Sequence, residues 1–81
     1  MNESIELKMS EWVDQGDNVS MFKFASVLFI TAPKDKEHEL GIQEVLDHAE
    51  LLAERMNDIE LAKAKKEIKE LLNEDNQWMN N

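Results

Sequence analysis

The sequence predicts a small all-α protein, a bundle of three to four helices that ends in an antiparallel helical hairpin. Three observations favour this class. Apolar residues recur at spacings of three and four over the second half of the chain. Gly16 and Pro33 fall at the ends of apolar segments, where helices stop. With 81 residues, the chain is expected to form a single small domain over residues 1–81.

The first predicted helix covers Glu3 to Gln15. Its apolar residues share one helical face and are Ile5, Met9, Trp12 and Val13. Asn2 is a candidate N-cap, and Gly16 is a candidate C-terminal stop. Every second residue from Ile5 to Met9 is also apolar, which is typical of a strand. An α+β fold, with an N-terminal β-hairpin packed on a helical hairpin, is therefore the alternative.

The second segment, Val19 to Thr31, is the most apolar part of the chain and carries a single charge. As a helix it has one narrow polar strip, formed by Ser20, Lys23 and Ser26. A helix with so little polar surface is expected to be buried on most sides. The run also has β-propensity, but its alternation fails near the end, so we favour the helix. Asp17 or Asn18 is expected to cap it, and Pro33 to end it.

The third and fourth segments show the clearest helical periodicity. The apolar residues of the third are Ile42, Val45, Leu46, Ala49, Leu52, Ala53 and Met56. Those of the fourth are Leu61, Ala64, Ile68, Leu71 and Leu72. The two series differ in phase, which predicts a turn at Asn57 with Asp58 as the cap of the fourth helix. A single long helix with a shifted apolar face is the alternative.

The chain is strongly acidic, with 18 Asp and Glu against 9 Lys and Arg and a net charge of −9. Phosphate contacts require Lys and Arg, so we expect no binding to nucleic acid or to anionic membrane surfaces. Acidity suits solubility, or contact with a basic surface on a partner protein. The acidic contact candidates are Asp35, Glu37 and Glu39, and Glu3, Glu6 and Glu11 are the alternative acidic set.

The apolar run is too short to span a membrane, because a spanning helix needs about 20 apolar residues. The N-terminus is acidic and the run starts late, so we expect no secretory signal. These observations predict a cytoplasmic protein without membrane insertion.

The residue patterns do not predict catalysis. There is no cysteine, which excludes disulfides and thiolate zinc sites. Glu37, Glu44 and His48 share one flank of the third segment and form a weak metal candidate, but an exposed pair on a solvated flank explains them as well. His38 is expected at the edge of the core. We therefore expect no enzymatic activity, no cofactor and no bound metal.

The apolar run offers more surface than one small chain is expected to cover, which predicts an interface and a homo-oligomer. The interface candidates are Trp12, Phe22, Phe24, Phe29, Trp78 and Met79. Residues 76–81 are expected to form either a frayed polar tail or a last turn that docks on a neighbour.

Three functional hypotheses follow from these patterns. The first is a non-catalytic acidic helical binding protein, an inhibitor or regulator that occludes a partner protein with a basic surface. The second is a small homo-oligomer that sequesters a nucleotide-like ligand at subunit junctions lined by Lys and Trp. The third is an assembly or structural subunit.

Overall fold

The structure, a computed structural model, describes the backbone of residues 3–33 and 35–76 and the side chains of residues 5–33 and 35–73. Its helices are α1 (Glu3–Gln15), α2 (Asn18–Thr31), α3 (Glu39–Glu54) and α4 (Asp58–Asn76), and a 3-10 turn at Lys36–His38 precedes α3. The two described ranges contain no strand. The all-α prediction is confirmed, and the α+β alternative is wrong.

Helix α2 is the centre of the fold. Helices α1, α3 and α4 all pack against it, and α1 also contacts α4. Val27 is completely buried, and Phe22 and Ala25 are nearly so. A helix that is apolar around its circumference must be covered around its circumference, and three neighbours provide that cover. None of the helices in the described ranges is long and apolar enough to cross a membrane.

The hydrophobic core receives side chains from all four helices. Its buried members are Ile5, Trp12, Phe22, Ala25, Val27, Ala49, Leu52, Met56, Ala64, Ile68 and Leu71. All the periodic residues predicted for α3 and α4 are buried or half-buried. Val13 of α1 differs from its prediction, because 47% of its surface is exposed. It lies beside a shallow hollow that it lines with Met9 and Phe24.

The predicted break between the last two helices is confirmed, because a turn at residues 55–57 separates α3 from α4. A single long helix is therefore excluded. Helix α3 makes its most extensive contacts with α2, whereas α4 packs on α2 and α1. The two members of the predicted hairpin are consecutive in sequence, but each uses α2 as its main packing surface.

Two local features fix the short link between α1 and α2. Gly16 adopts a left-handed φ of +68°, and its N–H donates to the Trp12 carbonyl oxygen at 3.0 Å. Asp17 Oδ1 accepts the Ser20 N–H at 2.7 Å, which confirms Asp17 as the cap of α2. The buried Ser20 hydroxyl also donates to Gln15 Oε1 at 2.6 Å, which connects the end of α1 to the start of α2.

The cap of α4 is Asn57, so the prediction of Asp58 is wrong by one residue. Asn57 Oδ1 accepts the Glu60 N–H at 2.8 Å, and Glu60 Oε1 accepts the Asn57 N–H at 3.2 Å. This reciprocal pair is a capping box, which requires Glu or Gln three residues after the cap. Asn57 has Glu60 at that position, whereas Asp58 has Leu61.

The one charge of the apolar run lies where α1, α2 and α4 meet. Lys23 Nζ is 3.0 Å from Glu67 Oε1 and 5.3 Å from the centroid of the Trp12 ring. Only 12% of the Lys23 side chain is exposed, so this ion pair and cation–π contact are shielded from water more than surface pairs are. The predicted polar strip of α2 therefore does not face solvent at Ser20 and Lys23.

Replacing the two glycines by alanine is expected to change stability in opposite directions. At Gly16 the left-handed backbone costs a β-carbon about 1–2 kcal/mol, so Gly16→Ala lowers the free energy of unfolding. Gly41 is helical, and a β-carbon there would meet nothing within 4 Å. Gly41→Ala is therefore expected to raise the free energy of unfolding by up to about 1 kcal/mol. Urea denaturation measures both variants against the parent chain. A loss of stability in Gly41→Ala would contradict the open space at that position.

The capping box predicts unequal losses at two adjacent positions. Asn57→Ala is expected to lower the free energy of unfolding by about 1 kcal/mol, because the Glu60 N–H loses its acceptor. Asp58→Ala is the matched control and is expected to cost about 0.5 kcal/mol, since Asp58 contributes only its charge near the helix dipole. Thermal unfolding followed by circular dichroism compares them. The reverse order would place the cap at Asp58.

The carboxylate cap at Asp17 is expected to make the stability of the fold depend on pH. The hydrogen bond from the Ser20 N–H and the nearby charge of Lys23 lower the pKa of Asp17 below its ordinary value of 3.8. A depressed pKa stabilises the fold at pH values above 3.8, and this stabilisation is lost as the pH falls through the folded-state pKa. In Asp17→Asn the cap oxygen is kept and the charge is absent. In urea denaturation, the free energy of unfolding of the parent chain should exceed that of this variant at pH 5, and the excess should shrink as the pH falls to 2. An excess that does not change with pH would refute the lowered pKa of Asp17.

Candidate functional site

The structure separates the interface candidates predicted from the sequence. Trp12 is 2% exposed and Phe22 is 7% exposed, so both belong to the core of the chain and present little surface to a partner. Trp12 also belongs to the apolar face predicted for the first helix, and that face packs into the core. Trp78 and Met79 lie outside the described residues.

The other two candidates, Phe24 and Phe29, are half-buried. Phe24 lines the small hollow beside α1, whose volume is about 230 Å³. Phe29 lies near the C-terminal end of α2 and faces the first turns of α3. Of the two, Phe29 has the larger apolar surroundings, and the acidic candidates lie beside it.

A groove of about 290 Å³ opens between the end of α2 and the start of α3. We call it the α2–α3 groove. Its apolar lining is Leu28, Phe29, Ala32, Gly41, Ile42 and Val45, and its polar lining is Glu37 and His38. A surface with an apolar floor and polar residues at one side has the composition of a protein-binding patch.

A second hollow of about 330 Å³ adjoins this groove and shares Ile42 with it. Its polar lining includes Asp35, Lys36 and Glu39. Glu37 therefore lines the groove to which Phe29 contributes, and Asp35 and Glu39 line the adjoining hollow. We call the groove and the hollow together the acidic face.

Asp35 sets the local geometry of the acidic face. Its Oδ1 accepts the His38 N–H at 3.1 Å and lies 2.6 Å from His38 Nδ1. The carboxylate thus caps the 3-10 turn that leads into α3. His38 is expected from the sequence at the edge of the core, but half of its side chain is exposed, because Asp35 holds the ring on the rim of the groove.

Asp35, Glu37 and His38 are the described group whose ligand atoms come closest to a metal-binding arrangement, all within 4.8 Å of one another. All three side chains are exposed, and Asp35 and His38 already bond to each other at the start of α3. Helix capping explains the cluster without an ion. Glu44 and His48, which the sequence places with Glu37 as a weak metal flank, are not part of it.

The acidic and histidine side chains in the described part of the chain lie mostly in solvent. Every Asp, Glu and His among the described side chains is exposed except Glu67, which is half-buried and paired with Lys23. A general acid or base usually needs an apolar pocket or a close like charge to move its pKa toward neutrality. Among the described carboxyl groups, Glu67 is the one partly withdrawn from water, and Glu37 on the rim of the α2–α3 groove is exposed.

The basic cluster of α4 is exposed to solvent. Its members are Lys63, Lys65, Lys66 and Lys69. Two of them, Lys65 and Lys69, border an apolar groove of about 350 Å³ between α2 and α4. The aromatic ring in that groove is Phe22, which is buried and offers little face for stacking a base.

Comparison of the chain with protein-family models, with curated proteins and with solved structures finds no significant match. The functional argument therefore depends on the geometry of the acidic face and on the charges around it.

Proposed function

We propose that this chain is a non-catalytic binding protein, an inhibitor or regulator that docks its acidic face on a basic, partly apolar surface of another protein and occludes it. The observation that carries the proposal is the convergence of two independently predicted sets. Phe29, an interface candidate, lies in the same continuous surface as Asp35, Glu37 and Glu39, the acidic contact candidates.

The charge of the face supports a basic partner. Within residues 35–39 there are three acidic side chains, Asp35, Glu37 and Glu39, and one lysine, Lys36. The whole chain carries −9, so its long-range field also attracts a basic surface and speeds encounter. Apolar contact in the groove then supplies the part of the affinity that salt does not screen.

Gly41 supports close approach of the partner. It is the third residue of α3 and lines the α2–α3 groove. The space where a β-carbon would be is open. Glycine weakens a helix by about 1 kcal/mol relative to alanine. Neither a positive φ nor a steric clash in the free chain requires glycine here. A partner whose backbone reaches the groove floor beside Gly41 accounts for the glycine at this position.

Among the described residues, the nucleotide-sequestering alternative receives no specific support. It needs exposed lysines beside an exposed aromatic ring. The lysines of α4 are exposed, but Trp12 and Phe22 are buried. The assembly hypothesis concerns a different surface, the groove between α2 and α4.

Charge reversal on the acidic face tests the proposal. The partner is first isolated by affinity capture from cell extract, and its binding to purified variants is then measured by calorimetry. Glu37→Lys combined with Glu39→Lys is expected to weaken binding tenfold or more, about 1.4 kcal/mol or more, because two attractive charges become repulsive. Asp35 is left in place because it caps the helix start.

The matched control is Glu6→Lys combined with Glu11→Lys, which makes the same change of charge on exposed residues of α1. This control should stay close to the parent affinity. Equal weakening by both pairs would indicate non-specific attraction to net charge, and unchanged binding in the Glu37 and Glu39 variant would refute docking through the acidic face.

A further inference from the structure

Two features of the surface are not used by the proposed function, and they are complementary to each other. One is the groove between α2 and α4, which we call the α2–α4 groove. The other is the outer row of α3, which points away from α2. We infer that the outer row of α3 in one copy of this chain docks in the α2–α4 groove of a second copy.

The α2–α4 groove has an apolar floor and a basic rim. Its floor is lined by Phe22, Ser26, Ile30, Ile68 and Leu72, and its rim by Lys65 and Lys69. Phe22 and Ile30 are eight residues apart on α2, so the groove extends for about 12 Å along that helix. This length accommodates two turns of another helix, the usual manner in which a helix binds between two others.

Lys65 and Lys69 differ from the other lysines of α4. Lys63 has Glu60 and Glu67 within one helical turn, and Lys66 has Glu70. Lys65 and Lys69 have no acidic residue three or four positions away on their helix, and they are four apart from each other. Neither forms an ion pair with any described residue. Two like charges at this spacing repel each other, and an acidic partner between them relieves the repulsion.

The outer row of α3 has the opposite pattern, acids flanked by exposed leucines. Leu40, Glu44, Asp47 and Leu51 are spaced by four, three and four residues, which places them in one line along the helix. Leu40 is 80% exposed and Leu51 is 46% exposed, and both acids are exposed. An exposed leucine is ordinary by itself, but two in line with two acids make an amphipathic helical surface.

Charge and apolar complementarity select a second copy as the occupant. Glu44 and Asp47 are separated by about 4.5 Å along the α3 axis, and Lys65 and Lys69 by about 6 Å along α4, so two ion pairs can form together. Leu40, one turn before Glu44, then contacts the apolar floor. The contact joins two different surfaces, so it is heterologous and continues as a ring or an open chain of subunits.

Sedimentation velocity at near-physiological salt tests the contact directly, in a dilution series that reaches about 1 mM, where even a contact with a Kd of about 1 mM is populated. The expected result is an average mass that rises above 9.4 kDa with concentration. A mass of 9.4 kDa at every concentration would overturn the inference.

Complementation of two blocked variants identifies the surfaces. Lys65→Glu with Lys69→Glu reverses the rim of the groove, and Leu40→Asp removes the leucine from the outer row. Each variant alone is expected to remain a monomer at all concentrations. An equimolar mixture is expected to form a one-to-one dimer and nothing larger, because one intact groove and one intact row remain. Absence of this dimer would overturn the inference.

The matched control is Lys63→Glu with Lys66→Glu, which makes the same change of charge on α4 away from the groove. It should self-associate as the parent chain does. If it abolishes self-association as completely as the groove variant, net charge controls the association, and the proposed contact is wrong. Circular dichroism verifies that every variant keeps the helix content of the parent, as expected for substitutions at exposed positions.

Discussion

The constraint on which the rest of the structure depends is the near-absence of a polar side on α2. An amphipathic helix can lie at the surface of a domain, but a helix that is apolar all round must be enclosed. Helices α1, α3 and α4 therefore all take α2 as their packing surface. Lys23, the one charge that α2 carries, is accommodated by a carboxylate from α4 and the ring of Trp12 from α1. The charge that interrupts the apolar run thus connects three helices.

Much of this architecture was predictable because the apolar residues of a packed helix recur with the helical period in the sequence. The apolar series of α3 and α4, the stop at Gly16, the cap at Asp17 and the end of α2 before Pro33 follow from local rules that tertiary contacts do not override. The cap of α4 required the additional observation that Glu60 stands three residues after Asn57. What periodicity could not supply was the partner of each helix, because the faces of α3 and α4 are compatible with packing on each other or on α2.

The sequence predicted individual residues of the candidate site, but it did not predict which of them lie close together. Acidic residues near the start of α3 and an aromatic near the end of α2 are visible in the sequence, but only the fold shows that the turn at Lys36–His38 brings them to one surface. The same limit applies to Trp12, since the residue type is typical of both interfaces and cores and its burial decides between them. The hydrogen bond that the His38 N–H donates to Asp35 had a sequence signal, an Asp three positions before the N–H that it accepts, and the periodicity argument did not use it.

The placement of α4 has a consequence for the order in which the chain folds. In the described structure, α1 with α2 and α2 with α3 are neighbours in sequence, whereas α4 must return across the chain to reach α2 and α1. The pair between Lys23 and Glu67 closes 44 residues. Contacts between sequence neighbours form with little loss of loop entropy, and a distant closure comes at a greater entropic cost. We therefore expect helix α4 to join last and to detach first, and its amide hydrogens to exchange with solvent before those of α2.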